Sequence, residues 1–284
     1  MNKILLFDSA MGTALIAAGQ PAGTTSEEMN LTHPETVLEI HRENIRAGCD
    51  VITSNSFGVT PMIMRGEREM ALKLLTESMK IAKQAASEKE NILACLEIGP
   101  SGVLLGPYGD HSYEEVEEAF AAQAEAGSLA GADFIILETF ADMEEIIRGA
   151  VAAGKASGLP VAGTMTFNEG GRSFMGASPG EFAGEAKRSG FVAVGSNCTL
   201  APEEMIPIIE EILAEAGELP VIAQPNAGKP VFKDQKTVYE ITPEEFASGA
   251  EKLIDLGISA IGGCCGTTPQ MIGAVREIID RRRK

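Results

Sequence analysis

Short apolar runs rich in β-branched residues alternate with longer segments of helical periodicity along the whole of this 284-residue chain. Such an alternation indicates a series of βα units. Eight strands are predicted, at 3–8, 50–55, 91–98, 133–139, 160–166, 191–197, 219–225 and 258–263. Eight helices are predicted between and after them, at roughly 34–47, 67–88, 113–129, 142–156, 179–188, 202–215, 243–255 and 268–281.

Residues that end and begin helices lie at the predicted boundaries. Glycine, which readily adopts the left-handed conformation that ends a helix, stands at Gly48, Gly131, Gly158, Gly190, Gly217 and Gly257. Ser or Thr followed by Pro or acidic residues is typical of a helix N-cap and occurs at Thr32, Ser112, Thr242 and Thr268. These positions support the division into eight units.

Strands that are apolar on both faces and are joined by helices predict a parallel sheet. Eight units in about 250 residues match the size of a closed (β/α)8 TIM barrel. No linker or composition shift divides the chain, so residues 1–284 are interpreted as one α/β barrel domain. A doubly wound open sheet is the alternative. The long loops 99–112, 167–178 and 226–241 follow the third, fifth and seventh strands, on the face where barrel enzymes build their sites.

Polar side chains gather where the predicted strands end. They include Asp8, Ser54, Asn55, Glu97, Glu138, Thr139, Asn197, Cys198, Asn226, Cys264 and Cys265. Any single Asp, Asn or Thr among them is equally typical of a helix cap. As a set at the C-terminal ends of several strands, they indicate a functional site at one mouth of the barrel.

Three cysteines follow the sixth and eighth strands, which places Cys198, Cys264 and Cys265 on one rim of the barrel. Three thiolates with a fourth position left for substrate are typical of a catalytic zinc site. Adjacent cysteines on a regular strand point to opposite faces, so this interpretation requires irregular backbone at the glycine-rich segment 262–266. Cys198 as a buried apolar residue and a redox disulfide between Cys264 and Cys265 are the alternatives. Cys49 and Cys95 are interpreted as core residues.

Composition excludes several classes of partner. The net charge of −18 disfavours nucleic acid and anionic membrane surfaces. Five unevenly spaced cysteines do not form a disulfide framework, which favours the cytoplasm. No nucleotide-binding glycine motif is present, and we expect neither an export signal nor a membrane span, because Asp8 and several glycines interrupt the apolar N-terminus. No ligand role is assigned to His33, His41 or His111.

Six segments together resemble the motifs of the homocysteine S-methyltransferase family. They are 8–13 (DSAMGT), 53–58 (TSNSFG), 137–139 (LET), 195–198 (GSNC), 225–228 (PNAG) and 262–266 (GGCCG). The likeness covers essentially the whole chain, with the segments in the same order. The two segments that contain cysteine, 195–198 and 262–266, are its most specific part. It is greatest to the homocysteine-binding module of the cobalamin-dependent members. Ser9 stands where the family motif has glycine.

The resemblance implies that Cys198, Cys264 and Cys265 hold Zn²⁺ and that the homocysteine sulfur is the fourth ligand. It implies that Glu138 and Asp8 bind the substrate ammonium and that backbone N–H groups around Ser9 and Ala10 bind its carboxylate. Asn55, Asn197 and Asn226 are further substrate-binding candidates. No general base is assigned, because methyl displacement depends mainly on positioning and on the thiolate.

One barrel accounts for the length of the chain, so the methyl donor is expected to come from outside it. The expected donor is methylcobalamin, carried on a separate corrinoid protein, and methionine is the expected product. S-methylmethionine or betaine is the alternative donor, although a chain with no Trp and three Tyr offers little for an aromatic cage around a quaternary ammonium. Two interpretations of other classes are a non-catalytic zinc- or thiol-binding barrel and a dithiol oxidoreductase.

Overall fold

Eight parallel strands form the centre of the protein. The computed structural model describes residues 3–62, 67–233 and 236–283. The strands of the sheet are β1 (Leu5–Leu6), β2 (Val51–Thr53), β3 (Leu93–Ile98), β4 (Phe134–Phe140), β5 (Val161–Met165), β6 (Ala193–Asn197), β7 (Val221–Gln224) and β10 (Ala260–Ile261). A separate antiparallel hairpin contains β8 (Val231–Lys233) and β9 (Lys236–Val238).

The sheet closes on itself. Its strand order is β1-β10-β7-β6-β5-β4-β3-β2, and a parallel bridge between Phe7 and Val51 joins β1 to β2. The predicted TIM barrel is therefore confirmed. The open doubly wound sheet is excluded, because in an open sheet the first and last strands are not paired with each other. The predicted long loops extend from the C-terminal ends of β3, β5 and β7. Positions 234 and 235 of the last one lie outside the described residues.

The eight predicted helices are all present, four of them with the predicted bounds. They are α3 (Pro34–Ala47), α4 (Arg68–Ser87), α5 (Tyr113–Leu129), α6 (Met143–Ser157), α7 (Pro179–Arg188), α8 (Ile206–Ala216), α9 (Pro243–Asp255) and α10 (Pro269–Arg281). Two short helices, α1 (Met11–Ala17) and α2 (Met29–Thr32), were not predicted, nor was the hairpin. None of the described helices combines the length and hydrophobicity needed to span a bilayer.

Three of the four predicted N-caps are confirmed. The hydroxyls of Ser112, Thr242 and Thr268 accept backbone N–H groups three residues ahead, at the starts of α5, α9 and α10. The prediction for Thr32 is wrong. Thr32 is the last residue of α2 and its hydroxyl donates to the Glu28 carbonyl, so His33 occupies the N-cap position of α3.

The barrel interior and the layer between strands and helices form two apolar cores. The interior core contains Phe7, Val51, Cys95, Ile136, Ala162, Ile222 and Ala260. The larger core lies between the strands and the helices and includes Cys49, so the interpretation of Cys49 and Cys95 as core residues is confirmed. Because apolar side chains fill the interior, polar groups are left to the strand ends.

Candidate functional site

A cavity of about 310 Å³ opens where the strands end. Its wall includes Asp8, Asn55, Glu138, Cys198, Cys264 and Cys265, together with the segment Ser9–Thr13. Four carboxyl side chains line it, from Asp8, Glu27, Glu97 and Glu138, and the described lining residues include no Lys, Arg or His. The cavity therefore combines thiols with an acidic wall.

The three predicted thiols lie together at one side of this cavity. The Sγ atoms of Cys198, Cys264 and Cys265 all lie within 4.8 Å of one another, and those of Cys198 and Cys265 are 3.9 Å apart. Zinc–sulfur bonds of about 2.3 Å at tetrahedral angles place sulfur atoms about 3.8 Å apart. The three thiols thus fit a zinc ion, and the open cavity leaves its fourth position to a ligand.

Irregular backbone brings the cysteines together, as the sequence required. Cys198 follows β6 with a φ of 61°, in the left-handed region. Gly266 has a φ of 80°, and a Cβ atom there would lie 2.1 Å from the ring of Tyr239. A Cβ atom on Gly263 would lie 2.3 Å from the Thr267 hydroxyl oxygen. Glycine at these two positions lets the segment after β10 turn, so that both adjacent cysteines face the cavity.

Hydrogen bonds among the thiols concentrate negative charge on one sulfur. The thiols of Cys264 and Cys265 lower the pKa of Cys198 to about 3. The same interactions raise the pKa of Cys264 well above its usual value and that of Cys265 to about 11. Of the three thiols, Cys198 is thus the one whose thiolate form is most favoured, and the thiolate is the form that binds a metal ion.

Three of the carboxyl groups on the cavity wall, those of Asp8, Glu97 and Glu138, interact with one another. Burial raises the pKa of Asp8 to about 7, although its carboxylate accepts the Thr53 backbone N–H at 2.8 Å. Burial likewise raises the pKa of Glu138 to about 7. Burial and the Glu138 charge raise the pKa of Glu97 well above its usual value, and Glu97 hydrogen-bonds Glu138. A bound cation would stabilise these groups in their charged form.

Glu138 lies on a bulge of β4. The pairing of β4 with β5 shifts between Leu137 and Phe140, so one extra residue is accommodated there. Thr139, immediately after Glu138, has a φ of 64°. Strained backbone and bulges are concentrated at functional sites, where they redirect side chains. Here the bulge leaves both Glu138 and Thr139 on the cavity wall.

The backbone N–H groups predicted to bind a carboxylate are already used within the chain. The N–H of Ser9 donates to Asn44 Oδ1 at 2.9 Å, and the N–H of Ala10 donates to Thr267 Oγ1 at 3.1 Å. The predicted carboxylate contact around these two residues stays a prediction. In the described part of the chain, the N–H groups of Met11 and Gly12, on the same wall, have no acceptor.

The three asparagine candidates divide into two kinds. Asn55 lies on the wall and donates to the Ser26 carbonyl and to Asn30 Oδ1. Asn197 and Asn226 are buried and do not line the cavity, and their role as substrate-binding residues stays a prediction. They contact the thiols instead: Asn226 hydrogen-bonds Cys198, and Asn197 lies next to Cys264.

Some wall residues were not assigned from the sequence. Gln224 and Thr53 hydrogen-bond the buried carboxyls of Glu138 and Asp8, and Phe57 and Glu27 border the opening. Gln224 and Thr53 lie within the last three residues of the predicted strands 219–225 and 50–55, so their positions carry a signal similar to that of Asn197. Glu97 also lies near the end of a predicted strand, 91–98, but this position alone does not indicate a role for it.

Comparison with families of known proteins gives a match over nearly the whole chain. The family model described as homocysteine S-methyltransferase matches residues 5–279. The methionine synthase of Mycobacterium leprae is 30% identical over 305 residues, a match that covers 99% of this chain and 24% of that protein. This chain thus spans about a quarter of the length of the methionine synthases that it matches.

Other relatives are closer to this chain in length. Betaine–homocysteine S-methyltransferase 1 of Rattus norvegicus is 32% identical over 302 residues, covering 97% of this chain and 72% of that protein. Among solved structures, the metallated form of the homocysteine methyltransferase MmuM from Escherichia coli superposes with a TM-score of 0.81. Its identity is 22%, and the match covers 98% of this chain and 96% of that one, which supports the barrel fold.

Proposed function

Because the chain belongs to the homocysteine S-methyltransferase family, we propose that it is a zinc-dependent enzyme that methylates homocysteine to methionine. The observation that carries the proposal is the position of three convergent thiols beside an acidic cavity at the C-terminal mouth of the barrel. Residues 1–284 would act as one homocysteine-binding domain. The thiols require a reducing compartment, and we propose the cytoplasm.

Cys198, Cys264 and Cys265 would hold the metal. When bound, zinc supplies a Lewis acid that favours the thiolate form of the substrate sulfur at neutral pH. Two amide side chains lie next to these cysteines: Asn197 lies near Cys264, and Asn226 hydrogen-bonds Cys198. Such outer contacts orient metal ligands.

The acidic wall would bind the substrate amino group. Glu138 and Asp8 are the candidate partners of the ammonium, and Asn55 borders the same space. An ammonium ion there would offset the buried negative charge of the two carboxylates. The substrate carboxylate would lie against the N–H groups of Met11 and Gly12, which have no acceptor among the described residues, beside Ser9 and Ala10.

The surroundings of the mouth favour a protein-bound methyl donor. Six apolar side chains with exposed fractions between 40% and 91% lie in segments that follow β2, β3, β5 and β7: Phe57, Leu104, Tyr108, Phe174, Met175 and Phe232. Exposed apolar side chains that lie together are typical of a site that binds another protein. We therefore propose that a methylated corrinoid protein docks at this mouth and presents methylcobalamin to the substrate sulfur.

A small cationic donor is the second candidate. The cavity wall has four carboxyls and, among the described lining residues, no basic side chain, which favours a sulfonium or quaternary ammonium compound over an anionic one. S-methylmethionine and betaine are such donors. Against them, Phe57 is the single aromatic residue in the described lining, so a cation–π cage would be incomplete.

A transfer assay with four donors tests the proposal. Zinc-loaded protein and homocysteine are mixed with methylcobalamin, a methylated corrinoid protein, S-methylmethionine or betaine. We expect homocysteine-dependent loss of methylcobalamin absorbance with methionine formed, fastest with the corrinoid protein. Turnover with S-methylmethionine or betaine alone would reject the donor assignment.

Metal analysis separates the remaining classes. Cys198→Ser is expected to lose the single bound zinc and the transfer activity, whereas Cys49→Ala, a buried cysteine away from the cavity, is expected to keep both. Tight zinc binding without transfer to homocysteine from any donor would indicate the non-catalytic barrel. A metal-free protein active in dithiol exchange would indicate the oxidoreductase.

A further inference from the structure

Asn197 ends β6 directly before Cys198, and its side chain is completely buried behind the cavity wall. Its Oδ1 atom accepts the Thr139 N–H at 2.9 Å and the Thr164 hydroxyl at 2.8 Å. Its Nδ2 atom donates to the Thr139 hydroxyl oxygen at 2.7 Å. Both ends of this amide therefore bind Thr139, which belongs to a strand 58 residues earlier in the chain.

The same amide also lies against the thiol site. Asn197 Nδ2 is 3.8 Å from the Sγ atom of Cys264, a distance at which an N–H donates to sulfur. An amide has two N–H donors, so one can bind the Thr139 hydroxyl while the other binds the sulfur. A donor at this sulfur stabilises its negative charge and fixes its direction.

Thr139 needs such support because of its backbone conformation. Its φ of 64° is unfavourable for a residue branched at Cβ, and a conformation of this kind persists only where its surroundings hold it. Thr139 follows Glu138 on the bulge of β4. A relaxation of Thr139 would therefore move the carboxylate of Glu138 in the cavity.

From these contacts we propose that Asn197 is a positioning residue that couples the three-thiol site to the subsite for the substrate amino group. The inference rests on the function proposed above for these two subsites. One amide holds the direction of the Cys264 sulfur and the conformation that presents Glu138. Loss of the whole amide disturbs both, and loss of its N–H donors alone disturbs mainly the sulfur.

Two variants and one matched control separate these contacts. Asn197→Asp keeps oxygen atoms that accept from Thr139 and Thr164 but cannot donate to Cys264. Asn197→Ala removes every contact. Ser196→Ala is the control, because Ser196 is the preceding residue of the same strand, is equally buried, and has an Oγ atom without a partner in the described part of the chain.

Two binding measurements on each protein give the readout. Zinc affinity is measured by competition with a chelator. Amino-group preference is the ratio of the affinities of the zinc-loaded protein for homocysteine and for 4-mercaptobutyrate, which lacks the amino group. We expect zinc affinity to fall about tenfold or more in both Asn197 variants. We expect the amino-group preference to fall in Asn197→Ala and to be largely kept in Asn197→Asp, with Ser196→Ala unchanged in both.

A fourth protein distinguishes positioning from a general effect on folding. Adding Thr139→Gly to Asn197→Ala removes the strain, since glycine adopts a positive φ without a steric penalty. We expect this double variant to regain thermal stability but not zinc affinity. Recovery of both would reduce Asn197 to a structural residue and overturn the proposal.

Other outcomes are equally decisive. If Asn197→Ala keeps the zinc affinity and the amino-group preference of the wild type, the proposed coupling is overturned. It is also overturned if the wild type itself does not bind homocysteine more tightly than 4-mercaptobutyrate. If Asn197→Ala does not fold, undiminished zinc affinity in Asn197→Asp rejects the sulfur contact. These measurements need no methyl donor. A wild type that binds zinc and homocysteine but transfers no methyl group therefore contradicts the proposed function alone.

Discussion

Gln224 Nε2 donates to Glu138 Oε1 at 2.7 Å, so an amide from β7 fixes a carboxylate that lies on the bulge of β4. Both side chains are buried and both lie on the cavity wall. The hydrogen bond lowers the pKa of Glu138 and so opposes the larger effect of burial, which raises it. The charge available for a substrate ammonium thus depends on a residue 86 positions away.

Replacing Gln224 by Leu is expected to weaken substrate binding rather than metal binding. The buried Glu138 carboxylate would keep its hydrogen bond to Glu97 but lose its amide donor, and a hydrogen bond to a charged group contributes about 1.5–3 kcal/mol. We expect the KM for homocysteine to rise about tenfold or more, with zinc stoichiometry unchanged. Steady-state kinetics and metal analysis check this, and an unchanged KM would show that Gln224 does not set the position of Glu138.

Asp8→Asn is expected to change the pH dependence of stability. The pKa of Asp8 is about 7 in the folded protein and 3.8 as the reference value for the unfolded chain. Between these values the folded state binds more protons, so the free energy of unfolding falls as pH rises. The variant loses this contribution, and its stability relative to wild type should increase from pH 4 to pH 7. Urea unfolding of the metal-free proteins across this range measures it, and parallel curves would contradict it.

His41→Leu is expected to act in the opposite direction. Burial lowers the pKa of His41 to about 4 from 6.5, and neither ring nitrogen has a hydrogen-bond partner among the described residues. Below pH 6.5 the unfolded chain takes up a proton that the folded state excludes, so stability is lost as pH falls towards 4. The variant should therefore gain most over wild type near pH 4.

The matched control for His41 is His33→Gln, at an exposed position in the same part of the chain. Chemical unfolding at pH 4.5 and pH 7 compares the three proteins. A gain for His41→Leu that is equal at both pH values would mean that packing rather than protonation is responsible.

Gly266→Ala is expected to damage the metal site, whereas Gly257→Ala should not. Both glycines have a positive φ, 80° and 97° respectively, so both variants carry backbone strain of about 1 kcal/mol or more. At Gly266 a Cβ atom would also overlap the Tyr239 ring, while nothing lies within 4 Å at Gly257. We expect a loss of zinc affinity in Gly266→Ala alone, measured by chelator competition. Equal losses in the two variants would refute the role of the Tyr239 contact.

The barrel and the convergence of its three thiols can be predicted from the order of the amino acids. The period of the apolar residues and the helix caps depend on neighbours a few positions apart, so they can be recognised along the chain. Cys198, Cys264 and Cys265 followed from the same reasoning, because the strands that precede them belong to one parallel sheet and their C-terminal ends meet at one mouth.

The hydrogen bonds among the polar side chains at this mouth depend on contacts between distant parts of the chain, which the sequence does not reveal. Asn44 accepts a hydrogen bond from the N–H of Ser9, 35 positions away, and Thr267 accepts one from the N–H of Ala10. The Asn197 side chain contacts Thr139 and Cys264 and does not line the cavity. A hydrogen-bond partner of this kind is set by the closure of the sheet and by the local direction of each strand end. The sequence pattern does not reveal the bulge at Glu138, because one extra residue leaves the pattern of side-chain faces on either side of it intact.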